Sequence, residues 1–261
     1  MNSVTKRECR EYIWPGVVKD QKCLRGRLCR VLWLARPDFS DVLLLKKYCG
    51  RALVLEGGNH SNAFARKKEW LDAHKEHGWI ELQGKTVLDY AIENGNAAIP
   101  EQFDVANLDL CTHFHYMTCR SLDVIFGTRL INKDGVLFLT VSRACHAEGS
   151  HNPQHKVIAT TLESIRDYVE NLARSRQCIL DLRFGKPYRS ESGKEMFTYG
   201  WTVKYRGKNG RSIQVLSNRE KSAIGTLLDY GLPAAPLAAA FGITIQQVAG
   251  YRAWATKRAQ A

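Results

Sequence analysis

The sequence predicts an α/β protein with an open, mostly parallel sheet closed by a β-hairpin, followed by a small all-α domain. Strand-like runs alternate with amphipathic helices up to about residue 206, which implies a parallel sheet covered on both faces. The run 135–142 is almost wholly apolar, as expected of a strand buried on both faces. After residue 216 the chain is Ala-rich and has no strand-like run. We therefore divide the chain into a basic N-terminal extension (1–28), a sheet domain (29–206), a linker (207–216) and a helical domain (217–261).

The elements of the sheet domain follow from the periodicity of its apolar residues. The predicted strands are 30–35, 52–56, 79–83, 103–110, 135–142, 178–184 and 196–205. The predicted helices are 40–48, 61–77, 114–130 and 162–176. The pattern of 86–90 fits either a short strand or the start of a helix, and the last two strands flank a long basic hairpin tip.

Local signals support the helix boundaries. Asp38 or Ser40 suits the N-cap of the first helix, and Gly50 lies beyond its end. Thr160 or Thr161 suits the N-cap of the last helix in this domain.

Composition restricts the class of function. Lys and Arg total 38 against 26 acidic residues, so the net charge is +12, which favours a polyanionic partner, nucleic acid before a membrane. No run approaches the roughly 18 apolar residues of a membrane span, and the N-terminus lacks the apolar core of a secretory leader. The eight cysteines form no C-x-x-C pair, so we expect reduced thiols, no structural metal site and a cytoplasmic location.

Two carboxylates stand at the ends of predicted strands. Glu56 ends the second strand, and Asp109 ends the strand in Phe103-Asp-Val-Ala-Asn-Leu-Asp-Leu-Cys111. Ligands of open α/β sheets bind at the carboxyl ends of strands, and a carboxylate can accept both hydrogens of a vicinal diol. The alternatives are a surface carboxylate closing a strand for Glu56 and a helix cap for Asp109.

The order of these elements resembles the class I S-adenosylmethionine (SAM) dependent methyltransferases over about two-thirds of the chain. The resemblance implies SAM as cofactor, with Glu56 at its ribose hydroxyls and Asp89, after the third strand, near its adenine. It also implies that Asp109 and Asn107, at the end of the fourth strand, face the methyl group and the acceptor.

The chain departs from this family at two places. The family has a glycine-rich turn after its first strand, whereas here the turn is Ala35-Arg-Pro-Asp-Phe39, which leaves Ala35, Arg36 and Asp38 to contact the cofactor. Enzymes of the family that methylate exocyclic base amines have prolines after the fourth strand, and this chain has none there.

The segment 217–258 resembles a helix-turn-helix of the resolvase or sigma-factor type. In Leu237-Ala-Ala-Ala-Phe-Gly-Ile-Thr-Ile-Gln-Gln-Val248 a small helix leads through Gly242 into a recognition helix. The side chains expected to reach base edges or phosphates are those of Thr244, Gln246, Gln247, Tyr251 and Arg252. The alternative is a helical packing module for protein contacts.

The hairpin region 183–211 combines basic and aromatic residues. Lys186, Arg189 and Lys194 lie near Tyr188 and Phe197, a mixture that suits phosphates and stacked bases. A solvated basic loop is the alternative.

The sequence thus predicts a SAM-dependent methyltransferase that acts on nucleic acid, DNA more than RNA. The alternative is a catalytically inactive, methyltransferase-like DNA-binding protein, such as a regulator or a mobile-element accessory factor.

Overall fold

The structure is a computed structural model that describes residues 6–57, 62–97, 100–143, 157–190 and 193–205. Beyond residue 205 it describes five isolated positions, Ile224, Gly225, Leu228, Ala234 and Val248. The predicted linker and the predicted helix-turn-helix therefore lie outside the described residues, apart from these five positions, and stay predictions.

Seven strands and seven helices make up the described part of the chain. The strands are β1 Cys29–Trp33, β2 Cys49–Leu55, β3 Ile80–Gln83, β4 Phe103–His113, β5 Ile131–Ser142, β6 Cys178–Arg189 and β7 Glu195–Tyr205. The helices are α1 Lys6–Glu8, α2 Trp14–Arg25, α3 Ser40–Leu43, α4 Asn62–Ala73, α5 Val87–Asn96, α6 Tyr116–Thr128 and α7 Leu162–Ser175. A π-helical turn, Cys9–Ile13, joins α1 to α2, and a 3-10 turn, Lys75–His77, follows α4.

The strands form one sheet in the order β3-β2-β1-β4-β5-β7-β6. The first five strands are parallel, and β7 runs antiparallel to both β5 and β6. This confirms the predicted mostly parallel sheet with a closing hairpin. The chain moves outward from β1 to β3 and then crosses to β4 on the other side of β1. The switch in direction therefore lies between β1 and β4, where connections leave a crevice at the carboxyl ends of the strands.

Helices cover both faces of the sheet. On one face α5, α6 and α7 bury residues such as Ala91, Leu122 and Val169 against the strands. On the other face α2 packs Trp14 and Val18 against β1, β4 and β5, beside α3 and α4. The core is thus two apolar layers separated by the sheet.

The N-terminal extension is part of this second layer. No secondary structure is predicted for 1–28 from the sequence, yet Trp14, Val18 and Gln21 are buried at the spacing of one helical face. The Trp14 ring lies 5.8 Å from the ring of Trp33 and 6.2 Å from that of Phe138. The extension therefore closes the core on this face.

The structure decides one open alternative and contradicts one expectation. Residues 87–96 are helical, because the Thr86 hydroxyl accepts a hydrogen bond from the backbone N–H of Asp89 and caps α5. The expected long hairpin tip is wrong, because β6 and β7 stay paired as far as Arg189 and Glu195. The buried Tyr188 lies there between the exposed Lys186 and Arg189 of one strand.

A charge network lies at the amino end of β4, opposite the crevice. The fully buried carboxylate of Asp104 accepts two hydrogen bonds from the Arg27 guanidinium, at 2.9 and 3.0 Å. It also accepts hydrogen bonds from the backbone N–H of Arg30 at 2.9 Å and from the Asn132 amide at 2.8 Å. These bonds connect β1 and β5 through β4 and satisfy a carboxylate that has no access to water.

Candidate active site

A cavity of about 410 Å³ opens at the carboxyl ends of β1, β2 and β4, where the strand order switches. Its volume falls in the range of small-molecule binding sites. The polar and small residues that line it include Ala35, Glu56, Lys67, Thr86, Asp109 and His115. The two carboxylates that the sequence places at strand ends are therefore in one cavity.

Glu56 lies directly after β2 and forms an ion pair with a lysine of α4. The Lys67 Nζ donates to Oε2 of Glu56 at 2.6 Å. The Lys67 side chain is 3% exposed, whereas that of Glu56 is 25% exposed. Glu56 thus meets the cavity on one side and a buried ammonium on the other.

Asp109 lines the cavity from within β4, which continues four residues further to His113. The Arg10 guanidinium, in the π-helical turn, approaches Asp109 with an Nη2–Oδ2 distance of 3.8 Å. The two side chains are only 11% and 9% exposed. The N-terminal segment therefore brings a positive charge to the carboxylate expected to face the acceptor.

The alternative of Asp109 as a helix cap is wrong, because His115 caps α6. The His115 Nδ1 accepts from the backbone N–H groups of Met117, at 3.1 Å, and of Thr118, at 3.3 Å. A ring nitrogen that accepts these bonds carries no proton, so a neutral His115 carries its proton on Nε2.

A buried carboxylate shapes the glycine-free loop after β1. Asp41 accepts from the Arg36 backbone N–H at 3.2 Å and from the Trp33 Nε1–H at 3.1 Å. Burial raises the pKa of Asp41 above its ordinary value. Of the three loop residues expected at the cofactor, Ala35 lines the cavity, whereas Arg36 and Asp38 are not among its lining residues.

The carboxylates of Asp38 and Asp89 accept hydrogen bonds from residues of their own turns. Asp38 Oδ1 accepts from the backbone N–H and the hydroxyl of Ser40, at 3.2 and 2.9 Å. Asp89 Oδ2 accepts from the Thr86 hydroxyl at 2.6 Å, within the first turn of α5. The residues after β3 that line the cavity are Lys85, Thr86, Val87 and Leu88, just before Asp89.

Asn107 is fully buried and is not among the cavity-lining residues. It pairs in register with Trp33 of β1 and Phe138 of β5, the two residues whose rings contact Trp14. The Asn107 amide therefore lies beneath Trp14, on the sheet face that α2 covers. Neither of its side-chain polar atoms has a hydrogen-bond partner in the structure.

Within the described residues, neither an activated thiol at Cys9 nor a metal-binding cluster accompanies the cavity. Burial, and to a smaller extent the nearby Asp109 charge, raises the pKa of Cys9 to about 12, which keeps this thiol protonated near neutral pH. The cysteines at 9, 23, 29, 49, 119 and 178 form no disulfide. Within the described ranges no group of three or more His, Cys, Asp and Glu residues could hold a metal ion, and no helix could cross a membrane.

The expected nucleic-acid contacts divide between described and undescribed parts of the chain. Lys186, Arg189 and Lys194 are exposed on the β6–β7 hairpin. The five residues of the expected recognition helix, 244, 246, 247, 251 and 252, lie outside the described residues. At the start of α6, Tyr116 is 40% exposed and its ring lies 5.9 Å from the Arg120 guanidinium.

Lys67 is the main site residue that sequence reasoning missed. The apolar stripe expected for this helix contains Phe64, Trp70 and Leu71, and Lys67 occupies the same face. A charged residue at a core-facing position is a signal of function that the sequence does contain.

Searches against known proteins return structural likeness alone. No protein-family model matches the chain, and neither does any curated protein. Among solved structures, the N-methyltransferase NodS from Bradyrhizobium japonicum WM9, in complex with S-adenosylhomocysteine, has a TM-score of 0.45 at 12% identity. That alignment covers 76% of this chain and 88% of NodS.

Two further solved structures are methyltransferases by name. A proposed rRNA-methylase from Clostridium thermocellum has a TM-score of 0.48 at 10% identity, with 78% of this chain and 99% of that one covered. The O-methyltransferase from Bacillus cereus, in complex with S-adenosylhomocysteine, has a TM-score of 0.46 at 14% identity, with 73% and 81% covered. Such identities transfer no residue role. The description of the sheet of this chain as Rossmann-like rests on its own strand order and hairpin.

Proposed function

We propose that this protein is a SAM-dependent methyltransferase that acts on nucleic acid. The observation that carries the proposal is that Glu56 and Asp109 line one cavity at the switch point of the sheet. This is the position at which open α/β sheets bind their ligands.

The donor set of the cavity fits SAM. Glu56 supplies a carboxylate for ribose hydroxyls, and Leu55, Val87 and Leu88 supply an apolar wall for a flat base. The glycine expected after β1 is replaced by Ala35, which adds one methyl group to the cavity lining.

Bound SAM supplies a methyl group on a sulfonium, and methyl transfer requires in-line positioning of the acceptor atom. In this proposal Asp109 orients the acceptor and takes its proton. Arg10 lies against the same carboxylate, with an Nη2–Oδ2 distance of 3.8 Å.

Nucleic acid is the acceptor class that the charge favours. The net charge is +12, and Lys186, Arg189 and Lys194 are exposed basic residues on the hairpin. Tyr116 and Arg120, next to the cavity-lining His115 and Met117, offer a surface on which a base can stack. DNA is the first polymer to test because the predicted recognition helix, Thr244 to Arg252, is of a kind that reads duplex DNA.

The test is transfer of a tritiated methyl group from SAM to DNA and, separately, to RNA of mixed sequence. We expect label in one polymer with the wild type and at least about a hundredfold less with Asp109→Asn, which loses the proton acceptor. Asp181→Asn, a change on the exposed outer strand of the hairpin, is the matched control and should keep wild-type transfer. Absence of label in both polymers, despite tight SAM binding, would refute nucleic acid as the acceptor. Absence of both transfer and SAM binding would favour the inactive DNA-binding alternative.

A further inference from the structure

Lys67 occupies an unusual position for a lysine. It lies on the inward face of α4, between the half-buried Phe64 and Trp70, and is itself only 2% exposed. Trp70 and Leu71 of the same face pack against the apolar layer beneath α4. A charge here is unfavourable unless a partner compensates it, so the position needs a reason beyond helix packing.

The partner of Lys67 is the carboxylate of Glu56 at the end of β2. The Nζ–Oε2 distance is 2.6 Å, which is that of a strong charge-assisted hydrogen bond. Both residues line the cavity that also contains Asp109. The ion pair is therefore a wall of the candidate site.

The pairing changes what Glu56 can offer to a ligand. A carboxylate that holds both hydroxyls of a ribose uses one oxygen for each hydroxyl. In this structure the buried ammonium takes Oε2, and the 25% exposure of the Glu56 side chain indicates that the other side faces the cavity. Oε2 keeps a second lone-pair site, but the ammonium draws charge from it, so Oε1 is the stronger acceptor for a hydroxyl hydrogen.

We propose that Lys67 is a positioning residue that holds Oε2 of Glu56, so that this carboxylate binds one hydroxyl of a nucleoside ligand through Oε1 more tightly than the other through Oε2. The inference rests on the proposed function, because it takes the ligand to be SAM or its product. It goes further by predicting unequal recognition of the two ribose hydroxyls, which the family resemblance does not imply. A pair that only fastened α4 to the sheet would affect stability and leave this discrimination unchanged.

The test is calorimetric titration with S-adenosylhomocysteine and with its 2′-deoxy and 3′-deoxy analogues. For the wild type we expect loss of one hydroxyl to weaken binding about tenfold and loss of the other less than about twofold. This comparison needs no variant, so it does not depend on whether a substituted chain folds. Equal weakening by the two deoxy changes in the wild type would overturn the inference.

Three variants then assign the discrimination to Lys67. Lys67→Met should weaken the parent compound and make the two deoxy analogues lose affinity by similar factors, because the carboxylate is no longer held. Lys67→Arg should restore unequal losses, and Lys68→Met, at an exposed neighbouring position of α4, should leave them unchanged. Circular dichroism melts verify that each variant is folded.

The outcomes separate the two proposals. A wild-type chain that binds none of the three compounds contradicts the proposed function and the inference with it. A chain that binds them and keeps the same unequal losses in Lys67→Met contradicts the inference alone.

Discussion

At the scale of single residues, Asp41 fixes the loop after β1, where a glycine-rich turn was expected, through side-chain hydrogen bonds. Its carboxylate accepts hydrogen bonds from the Arg36 backbone and the Trp33 indole, and it is 4% exposed. The loop that follows β1 is thereby fixed by side-chain hydrogen bonds to a buried acceptor. This arrangement places Ala35 on the cavity wall, and the left-handed residue of the loop is Phe39, with a φ of 53°.

The environment of Asp41 predicts a pH dependence of stability. Burial raises the folded-state pKa of Asp41 above its ordinary value of 3.8, although its hydrogen bonds oppose the rise. The folded protein therefore binds this proton more tightly than the unfolded chain does. The resulting stabilisation is complete below the unfolded-state pKa and is lost as the pH rises through the folded-state pKa.

Asp41→Asn lacks this titration. The difference in unfolding free energy, wild type minus variant, should therefore decrease between about pH 4 and about pH 6. Urea denaturation at the two pH values measures it, with Asp72→Asn, at an exposed position of α4, as the control that shows little change. A wild-type advantage that grew with pH would contradict the proposed environment of Asp41.

At the scale of elements, the N-terminal helix α2 is part of the core. Trp14 is 1% exposed and contacts the rings of Trp33 and Phe138. Trp14→Ala should lower the free energy of unfolding by about 3 to 5 kcal/mol, because the surrounding sheet cannot collapse to fill the space. Tyr12→Ala, whose side chain is 68% exposed, should cost less than about 1 kcal/mol in the same denaturation experiment. Similar small losses for both variants would place α2 outside the cooperative fold.

The strands were predictable from sequence, whereas the contribution of α2 was not. The part of β5 that is buried on both faces, 135–142, is an almost wholly apolar run of a kind that few other structures produce. The buried face of α2 consists of Trp14, Val18 and Gln21 amid basic residues, so it has the composition of a solvated segment. These three residues can be recognised as a buried helix face only once the sheet that they pack against is known.

The candidate site was predictable in position but not in detail. Glu56 and Asp109 could be found because in each case an acid follows the apolar run of a predicted strand. Lys67 follows Glu56 by eleven residues and reaches it only because α4 packs back across the sheet. The pairing of Asp41 with Trp33 likewise depends on a loop conformation that no periodic pattern predicts.

At the scale of the whole molecule, the positive charge predicts a salt-dependent interaction. If Lys186, Arg189 and Lys194 each neutralise one phosphate, the triple change to Ala should weaken binding to a mixed-sequence duplex. It should also reduce the slope of log affinity against log salt by about 3. Fluorescence polarisation at several salt concentrations measures the slope, and Lys46→Ala with Lys47→Ala, exposed after α3, is the control pair. An unchanged slope in the triple variant would contradict the claim that the hairpin binds phosphates of the duplex.

The central claim is that the cavity at the carboxyl edge of the sheet binds SAM through Glu56. Its most direct test is calorimetric titration of the full chain with SAM and with S-adenosylhomocysteine, wild type beside Glu56→Ala. We predict saturable binding of both compounds by the wild type and binding at least about tenfold weaker by the variant, which loses a charge-assisted hydrogen bond to the ribose. Absence of heat with both compounds, or equal affinity of the wild type and Glu56→Ala, would contradict the claim.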